Sequence, residues 1–337
     1  MSRVIHALAL TPLLTVSISA AQQTQPIVIS GSSTVYPFSQ AAIKSFTRRT
    51  PNTVSLQARS VGSSAGFREF CAGKVPIAAA SRPINARELE QCKARRVRFY
   101  ELPIAFDAIT VVVHPSNNFA KQISTAQLKT LWEKKAEGKV LRWSQLNPAW
   151  PNSTIKLCAP GKDSGTYDTF NKVISGSESN SRQDYTASED DDILVRCVAN
   201  SENALGYFGF DYYQNNRSIL RALPVSGMRG TVLPSVASVQ ASRYLPLSRP
   251  VFYYVNEQAI RSNRVLRVLV ESSLQQGAKL AEQANLIPLQ DSTYRLVISK
   301  LYRDVLGSSF GGQLPIGLTV GQILERSFDA QKKPQFR

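Results

Sequence analysis

Histidine is nearly missing from this chain, with two in 337 residues. His6 falls in an N-terminal segment expected to be cleaved away, and His114 closes an apolar strand. A serine hydrolase that needs a histidine base late in the chain therefore has almost nothing to draw on. Cysteine is sparse as well. Cys71, Cys92, Cys158 and Cys197 are separated by 20, 65 and 38 residues without a C-x-x-C pair, which argues against a zinc centre. After residue 21 no run is apolar enough to cross a bilayer, and there is no tandem repeat or low-complexity tract. The basic residues form neither an arm nor an aromatic-interleaved stripe, which argues against nucleic acid as a partner.

What remains suits a globular chain large enough for two domains, with 43% hydrophobic and 19% charged residues. Met1 to Ala21 reads as a secretory signal: Arg3 is its basic start, Val4 to Ile18 its apolar stretch, and Ser19-Ala20-Ala21 its small-residue cleavage site. Export to the periplasm or cell envelope places all four cysteines in an oxidising compartment. An even count there suggests two disulfides; Cys71 with Cys92 and Cys158 with Cys197 are the local choices among three pairings. The net charge of +16 points to anionic partners: small oxyanions, or teichoic and phospholipid surfaces.

Short β-rich runs alternate with helical spacing from Pro26 onward. Strands are expected at 27–30, 54–57, 77–80, 155–159 and 205–208, and helices at 38–49, 65–72, 86–95, 126–133, 167–174, 193–199, 260–284 and 292–305. The alternation predicts an α/β fold with open, mostly parallel sheets. Two longer apolar strands, Ala108–Val113 and Pro250–Val255, are candidate crossovers between lobes. The expected division is 22–107 and 251–337 for one lobe and 108–250 for the other.

Three turns of one build carry the chemistry. Gly31-Ser32-Ser33-Thr34, Gly62-Ser63-Ser64-Ala65-Gly66 and Asp163-Ser164-Gly165-Thr166 each follow a strand and precede a helix. Free backbone N–H groups, hydroxyls and the helix dipole converge at such a point and favour an oxyanion. A single turn of this kind is usually only a helix cap; three together indicate an anion site. Arg82, after the third strand, can fork onto an oxyanion. Asp107, at the first crossover, can accept the proton that phosphate keeps and sulfate lacks, or else serve as a partner for Arg82 or a cap. The run Glu189-Asp190-Asp191-Asp192 reads as a helix cap rather than a metal site.

The chain resembles the phosphate-binding proteins of ABC-type phosphate uptake systems, and most of all their cyanobacterial subgroup. The resemblance rests on Gly31-Ser32-Ser33-Thr34-Val35-Tyr36-Pro37, Phe70-Cys71-Ala72-Gly73, Ala80-Ser81-Arg82-Pro83-Ile84, Phe106-Asp107-Ala108, Asp163-Ser164-Gly165-Thr166, Tyr185 to Asp191, Ala204 to Gly209 and Pro246-Leu247-Ser248-Arg249-Pro250. It implies a type II periplasmic binding protein of two α/β lobes joined by two hinge crossovers. It implies that a monomer binds inorganic phosphate between its lobes, without cofactor or catalysis, and delivers it to a membrane ABC permease. The implied phosphate contacts are Ser33, Thr34, Val35, Ser63, Ser164, Gly165 and Thr166. The enterobacterial pattern has an aspartate where Arg82 stands and an arginine shortly before the S-G-T turn, where this chain reads Ala159-Pro160-Gly161-Lys162. Arg82 and Asp107 would then supply the displaced cation and acid. The alternatives are another oxyanion (sulfate or molybdate), a secreted phosphatase or esterase, and a phosphate-sensing or adhesive surface protein.

Overall fold

A computed structural model describes residues 26–51, 54–162, 164–177, 179–227, 230–311 and 319–330. The expected signal and its cleavage site lie outside the described residues. The chain opens with three strand–helix units: β1 (Ile27–Gly31), α1 (Tyr36–Arg49), β2 (Leu56–Ser60), α2 (Ser63–Cys71), β3 (Ile77–Ala80) and α3 (Ala86–Ala94). β1 lies between β2 and β3, parallel to both. Local chemistry fixes the helices. Pro37 stands in the first turn of α1, where its missing N–H costs nothing, and Arg48 and Arg49 sit at the negative end of its dipole. Asn85 and Glu88 close a capping box on α3.

β4 (Phe99–Val113) follows, a strand of 15 residues that is buried throughout except at Asp107. Beyond it come β5 (Ile123–Ser124), α4 (Thr125–Trp132), β6 (Lys156–Pro160), α5 (Gly165–Ser175), β7 (Thr186–Ser188), α6 (Asp191–Ala199), β8 (Ala204–Gly209), α7 (Phe210–Asn215), β9 (Arg221–Ala222), β10 (Val225–Gly227), β11 (Gly230–Val232) and α8 (Val236–Gln240). The chain returns through β12 (Ser248–Asn256) and ends in α9 (Glu257–Ser262), α10 (Arg264–Gln275), α11 (Gly277–Gln283), α12 (Asp291–Tyr302) and α13 (Val320–Ala330).

The strand order β2-β1-β3-β12-β4-β8-β6-β7 divides at β4. Phe99 to Ala108 pair antiparallel with β12, and Ile109 to Val113 pair antiparallel with β8. Each half carries a parallel set, β2-β1-β3 on one side and β8-β6-β7 on the other. This is the α/β architecture expected, with β4 and β12 as the crossing strands. Asp107 and Arg249 are register partners in that crossing.

The two disulfides adopt the local pairing, Cys71 with Cys92 and Cys158 with Cys197. One ties the ends of α2 and α3 together, and the other ties β6 to α6. Asp190 caps α6 through the Asp192 N–H at 2.9 Å, so the acidic run is a cap. Three expectations shift. β2 begins two residues later than read. The helical run from 260 to 284 is three helices, because Asn263 caps α10 and Gln276-Gly277 begins α11. The first crossover strand starts nine residues earlier than the apolar stretch Ala108–Val113. Within it Glu101, fully buried, accepts bonds from Ser308 Oγ (2.8 Å), the Ser309 N–H (2.6 Å), the Phe310 N–H (3.3 Å) and Tyr254 Oη (2.8 Å), which offset its desolvation. Among the described residues no helix is long and apolar enough to cross a membrane.

Candidate functional site

The first two turns are built side by side by glycine. Gly31 has φ +147°, and a Cβ there would fall 2.0 Å from the Ala79 carbonyl oxygen. A Cβ on Gly66 would lie 2.7 Å from Gly31 Cα and Ser30 O. With no side chain at either position, the start of α2 sits directly on the end of β1. The N-terminal N–H groups of α1 and α2 then open onto the same space.

That space is a cleft of about 310 Å³. Ser32, Ser33, Thr34 and Ser63 to Ala65 line one side, with Ser81 and Arg82 behind them. Asp168, Thr169 and Lys172 of α5 line the opposite side, and Arg249 of β12 stands between. Ser63 Oγ accepts from the Ser81 N–H at 3.2 Å, which sets the serine hydroxyl at the cleft wall. Ser33 and Thr34 keep backbone N–H groups with no partner among the described residues. Val35 is fully buried, lies outside the lining, and gives its N–H to Ser32 O at 3.2 Å. Ser164 caps α5, accepting from the Thr166 N–H at 3.1 Å. Ser164, Gly165 and Thr166 are not among the described residues lining this cleft; they stand one turn ahead of Asp168 and Thr169, which do line it.

The two charged candidates turn out to have different partners from those expected. Arg82 forks onto Glu88, Nη1 to Oε2 at 2.8 Å and Nη2 to Oε1 at 2.7 Å. It also donates to Ser64 Oγ at 2.9 Å and lies over the Phe67 ring. The Glu88 bonds raise the guanidinium pKa further. Its bidentate face is therefore turned to a carboxylate, and its contribution to the cleft is to hold the start of α2 through Ser64. Ser64, the middle residue of the Gly62-Ser63-Ser64-Ala65-Gly66 turn, is bonded to an arginine and not to the mature chain's one histidine; His114 bonds Ser116 at 2.7 Å. Asp107 does not pair with Arg82. It takes an ion pair from Arg249 Nε at 3.4 Å, with the two side chains 15% and 21% exposed. Arg249 Nη2 also donates to Thr169 Oγ1.

Arg249 is the residue that sequence reasoning missed. It lay inside a quoted motif, between Ser248 and Pro250 at the start of the second crossover, but nothing local marks it. Only the β4–β12 register sets it opposite Asp107. Arg68 and Lys172 also line the cleft, so cations outnumber acids there. In α6 and α7, burial and neighbouring acids push Asp191 up to about 7, and burial pushes Asp211 up to about 6, with Asp107 adding to the effect.

A family model for the PBP superfamily domain matches residues 16–279. The chain belongs to the PBP superfamily. Within it, the protein SphX of Synechocystis is 42% identical over 97% of this chain and 98% of its own length. The phosphate-binding protein PstS of Staphylococcus haemolyticus is 31% identical over 79% of this chain and 81% of its own. Among solved structures, a possible phosphate-binding protein from Planctomyces limnophilus aligns with a TM-score of 0.77 at 35% identity, over 83% of this chain and 98% of that one. A putative phosphate ABC transporter substrate-binding protein from Clostridium perfringens, with bound phosphate, aligns with a TM-score of 0.55 at 25% identity. As in the superfamily's type II fold, two α/β lobes meet at paired crossing strands.

Proposed function

We propose that this PBP captures inorganic phosphate and hands it to a membrane ABC permease, with residues 22–107 and 251–337 as one lobe and 108–250 as the other. The observation that carries the reading is Arg249, paired with Asp107 behind it, lining a cleft walled by serine-rich helix starts. A tetrahedral anion seated there meets unpartnered N–H groups at Ser33 and Thr34, the Ser63 hydroxyl, and the Arg249 guanidinium. Asp107 beside that cation accepts the proton of a phosphate and repels a sulfate. The turn Ser164-Gly165-Thr166 adds donors when α5 approaches. The name of the PstS relative and the phosphate bound in the Clostridium perfringens structure support the same ligand. No covalent step is required; binding alone is the activity. The N-terminal segment read as a signal supports work outside the cytoplasm.

Titration calorimetry of residues 22–337 with phosphate, sulfate, arsenate and molybdate tests this. Phosphate is expected to bind at least about 100-fold more tightly than sulfate, some 2.7 kcal/mol. No phosphate binding would end the proposal, and equal affinity for sulfate would remove the role given to Asp107.

A further inference from the structure

A second groove among the described residues lies apart from the anion cleft. It measures about 920 Å³ and runs between α1, β2 and α11. Four cations line it, Lys44, Arg48, Arg49 and Lys279, all exposed, and among the described residues no acid does. None of the four has a carboxylate partner among the described residues, whereas Arg59, Arg82, Arg98, Arg182 and Arg261 elsewhere each have one. Arg48 and Arg49 stabilise the C-terminal end of α1, which accounts for two cations but not for Lys44 or Lys279. Between the cations the floor is apolar, with Ile43, Leu56 and Leu280. The walls are tied to each other: Ser45 Oγ donates to Gln276 Oε1 at 3.0 Å. The charge asymmetry is general. Residues 22–107 and 251–337 hold 23 Lys and Arg against 12 Asp and Glu, while 108–250 hold 16 against 12.

We propose that this groove docks an acidic peptide segment of a partner protein, with acids alternating with apolar residues. The charge calls for an anion, and the apolar floor calls for an anion that carries hydrocarbon. A concave channel does not fit a flat lipid surface, and a phosphate polymer has no use for Ile43, Leu56 and Leu280. β2 is the terminal strand of the sheet and pairs only with β1 among the described residues. Its outer edge offers an extended peptide backbone donors and acceptors beside the groove, as sheet edges do in peptide recognition. An alternating segment puts its acids toward the Lys and Arg rim and its apolar side chains onto the floor.

The test uses fluorescein-labelled acetyl-(Glu-Val)4 in polarisation titrations against residues 22–337, beside (Lys-Val)4, phosphatidylglycerol vesicles and long-chain polyphosphate. The acidic peptide is expected to bind saturably and to weaken with salt, and (Lys-Val)4 is not. The double variant Arg48→Glu with Lys279→Glu is expected to weaken it by about tenfold or more while its phosphate affinity stays unchanged, which shows that the variant is folded and separates this groove from the anion cleft. No saturable binding of the acidic peptide up to about 1 mM, or equal binding to the double variant, overturns the proposal. Variant-sensitive binding of vesicles or polyphosphate without the peptide overturns it too, and names the rival occupant.

Discussion

Arg249→Met is the most direct probe of the anion cleft. The substitution keeps most of the side-chain stem and removes the guanidinium. The Asp107–Arg249 pair is largely shielded, with side chains 15% and 21% exposed, so its charges act in a medium well below the dielectric of water. Removing the arginine takes away a charge-assisted bond to the anion and leaves the Asp107 carboxylate facing it. Truncating one partner of such a pair costs about 2–5 kcal/mol, a loss of phosphate affinity of roughly thirtyfold to several thousandfold. Part of any loss could come from the stranded carboxylate upsetting the fold. The double variant Arg249→Met with Asp107→Asn separates the two effects: it is expected to recover the unfolding midpoint but not the affinity. Calorimetry gives the affinity, and urea unfolding followed by circular dichroism gives the stability. A single variant within about threefold of the wild type, or a double variant that regains phosphate affinity, would refute the argument, because Arg249 would then merely neutralise Asp107.

Arg82→Ala strands Glu88, whose side chain is 8% exposed, and is expected to lower unfolding stability by about 2–3 kcal/mol in urea titration, with the change in phosphate affinity the smaller effect; collapse of affinity at unchanged stability would make Arg82 a direct ligand. Replacing Cys158 and Cys197 by alanine opens a loop with a sequence separation of 39, and loop-closure entropy places the expected loss near 4 kcal/mol by the same measurement. Asp191 titrates at about 7 in the folded chain, against about 4 for an ordinary aspartate, so between those values the folded state holds the extra proton. Stability is therefore expected to fall as the pH rises from about 5 toward 7 in thermal melts, and Asp191→Asn is expected to flatten that slope.

The repeating strand–helix units were legible because each is local: periodicity 2 gives way to periodicity 3.6, and capping residues such as Asn85 mark the change. The serine-rich turns were legible for the same reason. β4 was read at less than half its length. Glu101, Pro103 and Asp107 interrupt its apolar pattern, and each is accommodated only by distant parts of the chain, as Glu101 is by the 308–310 loop. The partners of the two arginines were illegible in the same way. Arg82 finds Glu88 six residues on, where a helix cap turns it back, and Arg249 finds Asp107 across 142 positions by strand register alone. Arg82 was the sequence's candidate partner for Asp107, and the strand register supplies Arg249 instead.

β4 and β12 run side by side as a two-strand ribbon that ends at Ala108 and Ser248, where the sheet passes from one half of the protein to the other, and Asp107 and Arg249 face each other one position from that end. Any tilt of one half against the other is a bend of that ribbon. Atoms near the axis of a bend travel little, while those far from it, at the starts of α2 and α5, sweep through long arcs. The charge pair is then the pivot, and the hydroxyl and backbone donors are the moving jaws. On the proposed binding mode an anion held by Arg249 sits near that bend, and the serine-rich turns are what must move to close on it.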